Sequence, residues 1–239
     1  MILPSLAAIV GGLCFSITES IYKNISENKY SSFAYAFTQH FLNFLIFLVP
    51  SIFIFKLPPF GISYLYLLIV VGIYFLGNAL ALKSYKTIDI SNISIIGNLS
   101  LVINFLVGVL FLSEPSSVNK LLGIVLILVG VVIVFYERKK ITLSQGFIAA
   151  ALSAIIFGLR PFFDKMNLTF FDLFVYTALN NLGAALLIYT LPQARKDIPK
   201  IFSRFKVKIL LSRVAGSLGY FLVYWSINQG NISVVYTNS

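Results

Sequence analysis

Apolar residues run along this chain in stretches of about 20, the length of helix that crosses a hydrocarbon core, and polar residues punctuate them at that interval. The pattern predicts membrane helices near 4–23, 31–55, 61–82, 91–112, 117–136, 143–163, 170–191 and 207–227. Breaks fall at Lys56, Leu57, Pro58 and Pro59, at Ser113, Glu114, Pro115 and Ser116, at Glu137, Arg138, Lys139 and Lys140, and over the stretch from Pro192 to Lys208. Lipid offers no partner to a peptide N–H or C=O, so spans of this length satisfy their backbone internally as helices. The first run has no basic residues in Met1–Ser5 and no small-residue cleavage pattern after it, and is expected to be a retained helix.

The spans repeat. A shift of 142 positions brings Phe15 onto Phe157, Lys23 onto Lys165, Gly77 onto Gly219, Ser84 onto Ser226, and Ile90 and Ser91 onto Ile232 and Ser233. A shift of 141 aligns the second helices, pairing Tyr35 with Tyr176 and Gln39 and His40 with Asn180 and Asn181. The organisation expected is a first five-helix copy over 1–141 and a second, incomplete copy over 142–239. An odd number of spans makes the copies enter the membrane with opposite orientation, the inverted-repeat plan of many secondary transporters. At the 142 shift Ser239 falls on Gly97, early in the fourth helix, so the chain is expected to be a fragment or truncated product that lacks the counterpart of residues 98–140.

Composition agrees with a lipid solvent: 59% of the 239 residues are hydrophobic and 11% charged, far from the balance of a water-soluble domain. The fold class is therefore all-α, a polytopic transmembrane helix bundle. The net charge of +10 does not form a basic face interleaved with aromatics, which argues against nucleic acid as a partner. Lys and Arg instead crowd the odd-numbered connections, at Lys23 and Lys29, Lys83 and Lys86, Arg138 to Lys140, and from Arg195 to Lys208. The positive-inside rule places these loops in the cytoplasm and the N-terminus outside. The one cysteine, Cys14, has no partner for a disulfide and is expected to be a small buried apolar side chain.

Three segments carry a resemblance. Ala81-Leu82-Lys83-Ser84-Tyr85-Lys86, then Phe111-Leu112-Ser113-Glu114, then the apolar run from Leu121 to Gly130 with Gly123 and Gly130 spaced along it, resemble the EamA repeat of the drug/metabolite transporter superfamily. The resemblance is strongest over 75–136. It implies two helical repeats, transport of a metabolite, amino acid, nucleotide-linked compound or drug-like solute, the plasma membrane of a bacterium, and an N-terminus inside, against the charge pattern.

Ionisable and amide side chains inside such spans are costly and mark cavities or one another. Glu19 and Lys23 sit one turn apart in the first helix, and Arg160 and Asp164 have the same spacing in its repeat partner. Glu19 and Arg160, the deeper members, either line a cavity or close a local pair. Gln39, His40 and Asn43 share one face of the second helix, and Asn180 and Asn181 occupy the matching place in its partner. With Asn78, these eight residues are the candidate solute contacts; the alternative for each is a helix-to-helix hydrogen bond. His40 is the one histidine, the side-chain type whose unperturbed titration lies near neutral pH, and is the candidate for proton coupling. Asn98, Asn104, Tyr224, Trp225 and Asn228 are secondary candidates, read first as packing or interface residues. Small residues at Ala8, Gly12 and Ser16, and at Ala150, Ala154 and Gly158, are expected to let helix backbones approach.

No phosphate-cradling glycine loop, zinc-ligand pair or Ser-His-Asp set is present, so no cofactor or metal and no enzymatic activity is expected. The leading reading is a secondary transporter, with a small solute and the bilayer as partners. The alternative from another class is a non-transporting assembly partner or sensor that uses the same helical scaffold.

Overall fold

The structure, a computed structural model, describes residues 2–26, 30–85, 87–114, 116, 118–137 and 144–229. Its helices are α1 (Ile2–Ser26), α2 (Ser32–Ile54), α3 (Ile62–Tyr85), α4 (Ile90–Gly97), α5 (Leu99–Phe111), α6 (Val118–Glu137), α7 (Gln145–Leu168), α8 (Leu173–Tyr189) and α9 (Pro192–Gln229). Among the described residues α2, α3, α7 and α9 contain a window long and apolar enough to cross a membrane by itself, and shorter apolar stretches lie in α1, α5, α6 and α8. The repeat match at Ile232 and Ser233, the basic run Arg138 to Lys140 and the end of the chain lie outside the described residues.

The chain divides into two compact units, one of Met1–Phe75 with Phe163–Gly230 and one of Leu76–Phe162. In the first unit α1 packs along α9, and α2 packs on α8 and α9. The α1/α9 pair is antiparallel: Ser226 Oγ donates to the Pro4 carbonyl at 2.9 Å, and Thr18 Oγ1 to the Ser212 carbonyl at 3.1 Å. Between these bonds the backbones come close at glycines. A Cβ on Gly219 would lie 3.1 Å from the Gly11 carbonyl oxygen and 3.1 Å from the Phe15 ring. Without a hydrophobic effect between helices in lipid, such close van der Waals contact is what holds the pair. The contact runs through Ala8 and Gly11, whereas Ser16 of the expected small-residue stripe is exposed.

Differences from the expected spans have local causes. Pro192 to Lys208 was expected to be a break, but α9 begins at Pro192 and runs through it, with non-helical backbone only at Phe205 (φ −119°, ψ 23°). The segment is amphipathic: Ala194, Ile201 and Ile209 are buried while Lys196, Lys200, Lys206 and Lys208 point outward, so charge density misled where periodicity would not have. It docks on the start of α2, where Ile201 and Ile209 pack with Ala34 and Tyr35, and Ala194 packs with Ala36 and Ile188. Asp197 Oδ2 accepts from the Ser31 N–H at 2.9 Å, Lys200 Nζ bonds the same carboxylate at 2.9 Å, and Arg204 donates to the Tyr30 hydroxyl. The α1/α2 and α8/α9 connections therefore share one side of the unit.

The Lys200 hydrogen bond, and after it the Ser31 N–H, hold the Asp197 carboxyl below its ordinary value of 3.8. A depressed carboxylate stabilises the fold above its unfolded pKa and stops doing so as the pH falls through the lower folded one. Asp197→Ala is thus expected to lower stability by about 1 kcal/mol at pH 7, with the gap in melting temperature closing as the pH drops below 3.8. A gap that stays constant with pH would assign the loss to something other than this carboxylate.

In the second unit the end of α3 meets α7. Phe157 lies against Gly77, whose added Cβ would come 2.7 Å from the ring, and Ser153 Oγ donates to the Gly77 carbonyl at 3.1 Å. Shifting by 142 turns Gly11, Phe15 and Gly219 into Ser153, Phe157 and, in reverse, Gly77, so the α1/α9 and α3/α7 contacts use positions that this shift relates. Ala150, Ala154 and Gly158 are buried as expected, with Gly158 against Ile103 and the Ser100 carbonyl. The expected fourth span is two helices, α4 and α5, joined at Asn98. Ser113 ends the span with φ 52°, and the Glu114 N–H reaches back to the Gly108 carbonyl at 3.0 Å. A left-handed serine costs about 1 kcal/mol that glycine does not, so Ser113→Gly should raise stability by about that amount in thermal unfolding.

Candidate functional site

The polar stripe predicted on the second helices is enclosed within the first unit. His40, Asn43, Asn180 and Asn181 are each at most 3% exposed. α2 carries His40 and Asn43 one turn apart and α8 carries the two asparagines, so the antiparallel packing of these helices brings the four together. His40 Nδ1 lies 2.9 Å from Asn181 Oδ1, and Asn43 Nδ2 donates weakly to the same oxygen at 3.4 Å. Asn181 Nδ2 donates to the Thr177 carbonyl at 2.8 Å. That bond fixes the amide with Oδ1 toward His40, so neutral His40 carries its proton on Nδ1 and keeps Nε2 as the basic nitrogen. Ser217 Oγ of α9 donates to Asn43 Oδ1 at 3.0 Å, extending the chain of bonds to a third helix.

A second branch runs through aromatic hydroxyls. The His40 ring stands edge-on to Tyr74, 5.0 Å between centroids. Tyr74 Oη is 3.2 Å from Tyr224 Oη, which accepts from Asn180 Nδ2 at 3.3 Å. Asn180 Oδ1 is buried without a hydrogen-bond partner. An orphaned amide oxygen in a dry interior costs about 1–3 kcal/mol, and such a group persists most often where a ligand completes it. Tyr176, which the shift of 141 aligns with Tyr35, donates a hydrogen bond to buried Asp164.

The shifts found in the sequence reappear as contacts. His40 and Asn181 are aligned by the shift of 141, and they bond to each other.

The other candidates are dispersed. Gln39 is half-buried on α2 and takes no part in these bonds. Glu19 belongs to α1, but its side chain lies outside those described. Asn78 of α3 and Arg160 of α7 are half-buried residues of the second unit. Tyr74 was missed because a tyrosine in an apolar run reads as packing. Tyr224, read in the sequence first as an interface anchor, is wholly enclosed and stands between Tyr74 and Asn180.

Residues 2–136 match the model of the EamA-like transporter family. The chain belongs to this family. EamA proteins are membrane transporters of the drug/metabolite superfamily, which agrees with the apolar helices and with the large exposed side chains, such as Phe53, Leu68, Leu126 and Leu210, that face outward where acyl chains would lie. The match covers the first EamA repeat expected from the sequence, including Ser113, Glu114, Gly123 and Gly130. No curated protein matches this EamA chain.

Proposed function

We propose that this protein moves a small solute across the bilayer by alternating access, with the solute bound at the polar layer of His40, Asn43, Asn180 and Asn181 closed by Tyr74 and Tyr224. The observation that carries this reading is the bond between the repeat mates His40 and Asn181. Inverted-repeat transporters place their solute where the copies cross, because rocking one copy against the other then exposes one fixed site to each side in turn. The exchanged glycine contacts of Gly11 with Gly219 and Ser153 with Gly77 support the division into two copies near residue 141. His40, with Nε2 as its basic nitrogen, couples solute movement to protons.

Purified protein in liposomes, tested over a panel of labelled metabolites with and without an imposed pH gradient, decides the matter. Flux of at least one solute, with its proton dependence lost in His40→Gln, is the expected result. A folded protein that moves nothing in either direction would favour the scaffold or sensor reading.

The same reading sets the orientation in the plasma membrane. Tyr30 and Ser31 meet Arg204 and Asp197 on one side of the first unit, and the surplus of Lys and Arg there assigns it to the cytoplasm. In a Cys14→Ser background, a cysteine at Lys196 should be shielded from a membrane-impermeant maleimide added outside. Labelling from outside would reverse the topology in favour of the order that the family resemblance implies.

A further inference from the structure

Among the described residues Arg213 is the largest fully enclosed side chain, 2% exposed on the membrane part of α9. Its Nη2 donates to Ser212 Oγ at 2.6 Å, and the Tyr35 hydroxyl, itself 3.1 Å from Ser212 Oγ, is a second partner. Its Nε is buried with no hydrogen-bond partner. Gly216, one turn further on, makes the position possible: a Cβ there would lie 3.3 Å from Arg213 Nη1 and 3.4 Å from Thr18 Oγ1. The guanidinium is thus laid against its own helix, between the end of α1 and the start of α2. Around it are hydroxyls and the Tyr220 ring, and among the described residues no carboxylate pairs with it.

A guanidinium does not give up its proton in a protein, and a buried charge without a counter-charge is strongly unfavourable. Hydroxyls solvate it in part and leave the net charge of one standing. Among the described residues nothing supplies the balancing charge, and a monoanion would supply it. The Nε edge of a guanidinium presents parallel N–H donors that fit a carboxylate two-to-two; a phosphate dianion would leave one excess negative charge, since among the described residues no second cation joins the cluster. We propose that Arg213, held by Ser212 and Tyr35, binds the carboxylate group of the transported solute, so that the substrate is a small carboxylic acid in its ionised form. This rests on the transport reading and adds the substrate class to it. The competing arrangement is a structural pair with Glu19, which follows Thr18 in α1.

The test uses the purified protein and acetate, lactate and benzoate as probes, with inorganic phosphate and chloride at matched ionic strength as controls. At least one carboxylate should raise the melting temperature of the wild type by several degrees where chloride and phosphate do not. Arg213→Gln should weaken that binding about a hundredfold, and Arg213→Lys about tenfold, since a point charge lacks the fork. If Arg213→Gln does not fold, Tyr35→Phe decides, with an expected loss of about tenfold from one hydroxyl. No stabilisation beyond chloride, equal stabilisation of Arg213→Gln or an unaltered response in Tyr35→Phe would overturn the proposal, as would full rescue of Arg213→Gln stability by Glu19→Gln with no carboxylate effect. Flux of a neutral solute that no carboxylate inhibits keeps the transport reading and removes this one. Carboxylate binding without flux of the labelled acid keeps the Arg213 site but removes transport, and with it the claim that the bound acid is the substrate.

Discussion

Asn180→Leu is expected to leave the protein folded and to cut solute flux roughly thirtyfold. The substitution keeps the number and branching of the side-chain heavy atoms while adding some bulk, removes the orphaned Oδ1 and gives up one 3.3 Å bond to Tyr224. These two changes oppose each other, so the net stability change should stay within about 1 kcal/mol. The flux loss follows if Oδ1 accepts a hydrogen bond from the solute: about 2 kcal/mol of lost binding in the transition between states corresponds to about thirtyfold in rate. Melting temperature and proteoliposome flux, measured on the same preparation, separate the two effects. Wild-type flux in Asn180→Leu would mean that the oxygen is an uncompensated defect of packing and that the layer does not hold the solute.

The largest structural effect should come from Gly219→Leu. Its Cβ alone would sit 3.1 Å from the Gly11 carbonyl oxygen, and backbone, unlike a side chain, cannot swing away. Forcing α1 and α9 apart should cost about 3 kcal/mol or more, read as loss of the monodisperse peak in size-exclusion chromatography. Gly77→Leu, the exchanged position, meets the Phe157 ring instead of backbone. Its ring can rotate, so a smaller cost of about 1–2 kcal/mol is expected. Equal tolerance of leucine at both places would show that these contacts do not hold their helix pairs.

Much of this arrangement could be read from the sequence because lipid makes strong demands. The interval between polar breaks marked α1 to α3 and α6 to α8 closely, since a helix that must cross hydrocarbon cannot be much shorter than its apolar run. The shift of 141 aligns His40 with Asn181, although a shift states equivalence and not contact. Other features depend on three-dimensional detail that a hydropathy pattern averages away. Asn98 divides the fourth span by a local turn that one asparagine after a glycine signals only faintly. The basic stretch before Phe205 looked like a loop because its charges outweigh the seven- and four-residue spacing of Ala194, Ile201, Phe205 and Ile209. Arg213, close in sequence to Lys206 and Lys208, reads as one more interfacial cation, and only the gap left by Gly216 shows why it turns inward.

The pairing of α1 with α9 also sets a timetable for synthesis. Thr18 finds its partner 194 residues later and Pro4 waits for Ser226, 222 residues on. At about 5–20 residues per second, a ribosome needs on the order of 10–40 s to bridge that interval. Throughout it the glycine face of α1 has only lipid or the insertion machinery to rest against. Maturation of the first unit is therefore post-insertional, and slowing the release of α1 from the insertase should favour yield, whereas early release leaves a sticky orphan helix for quality-control proteases.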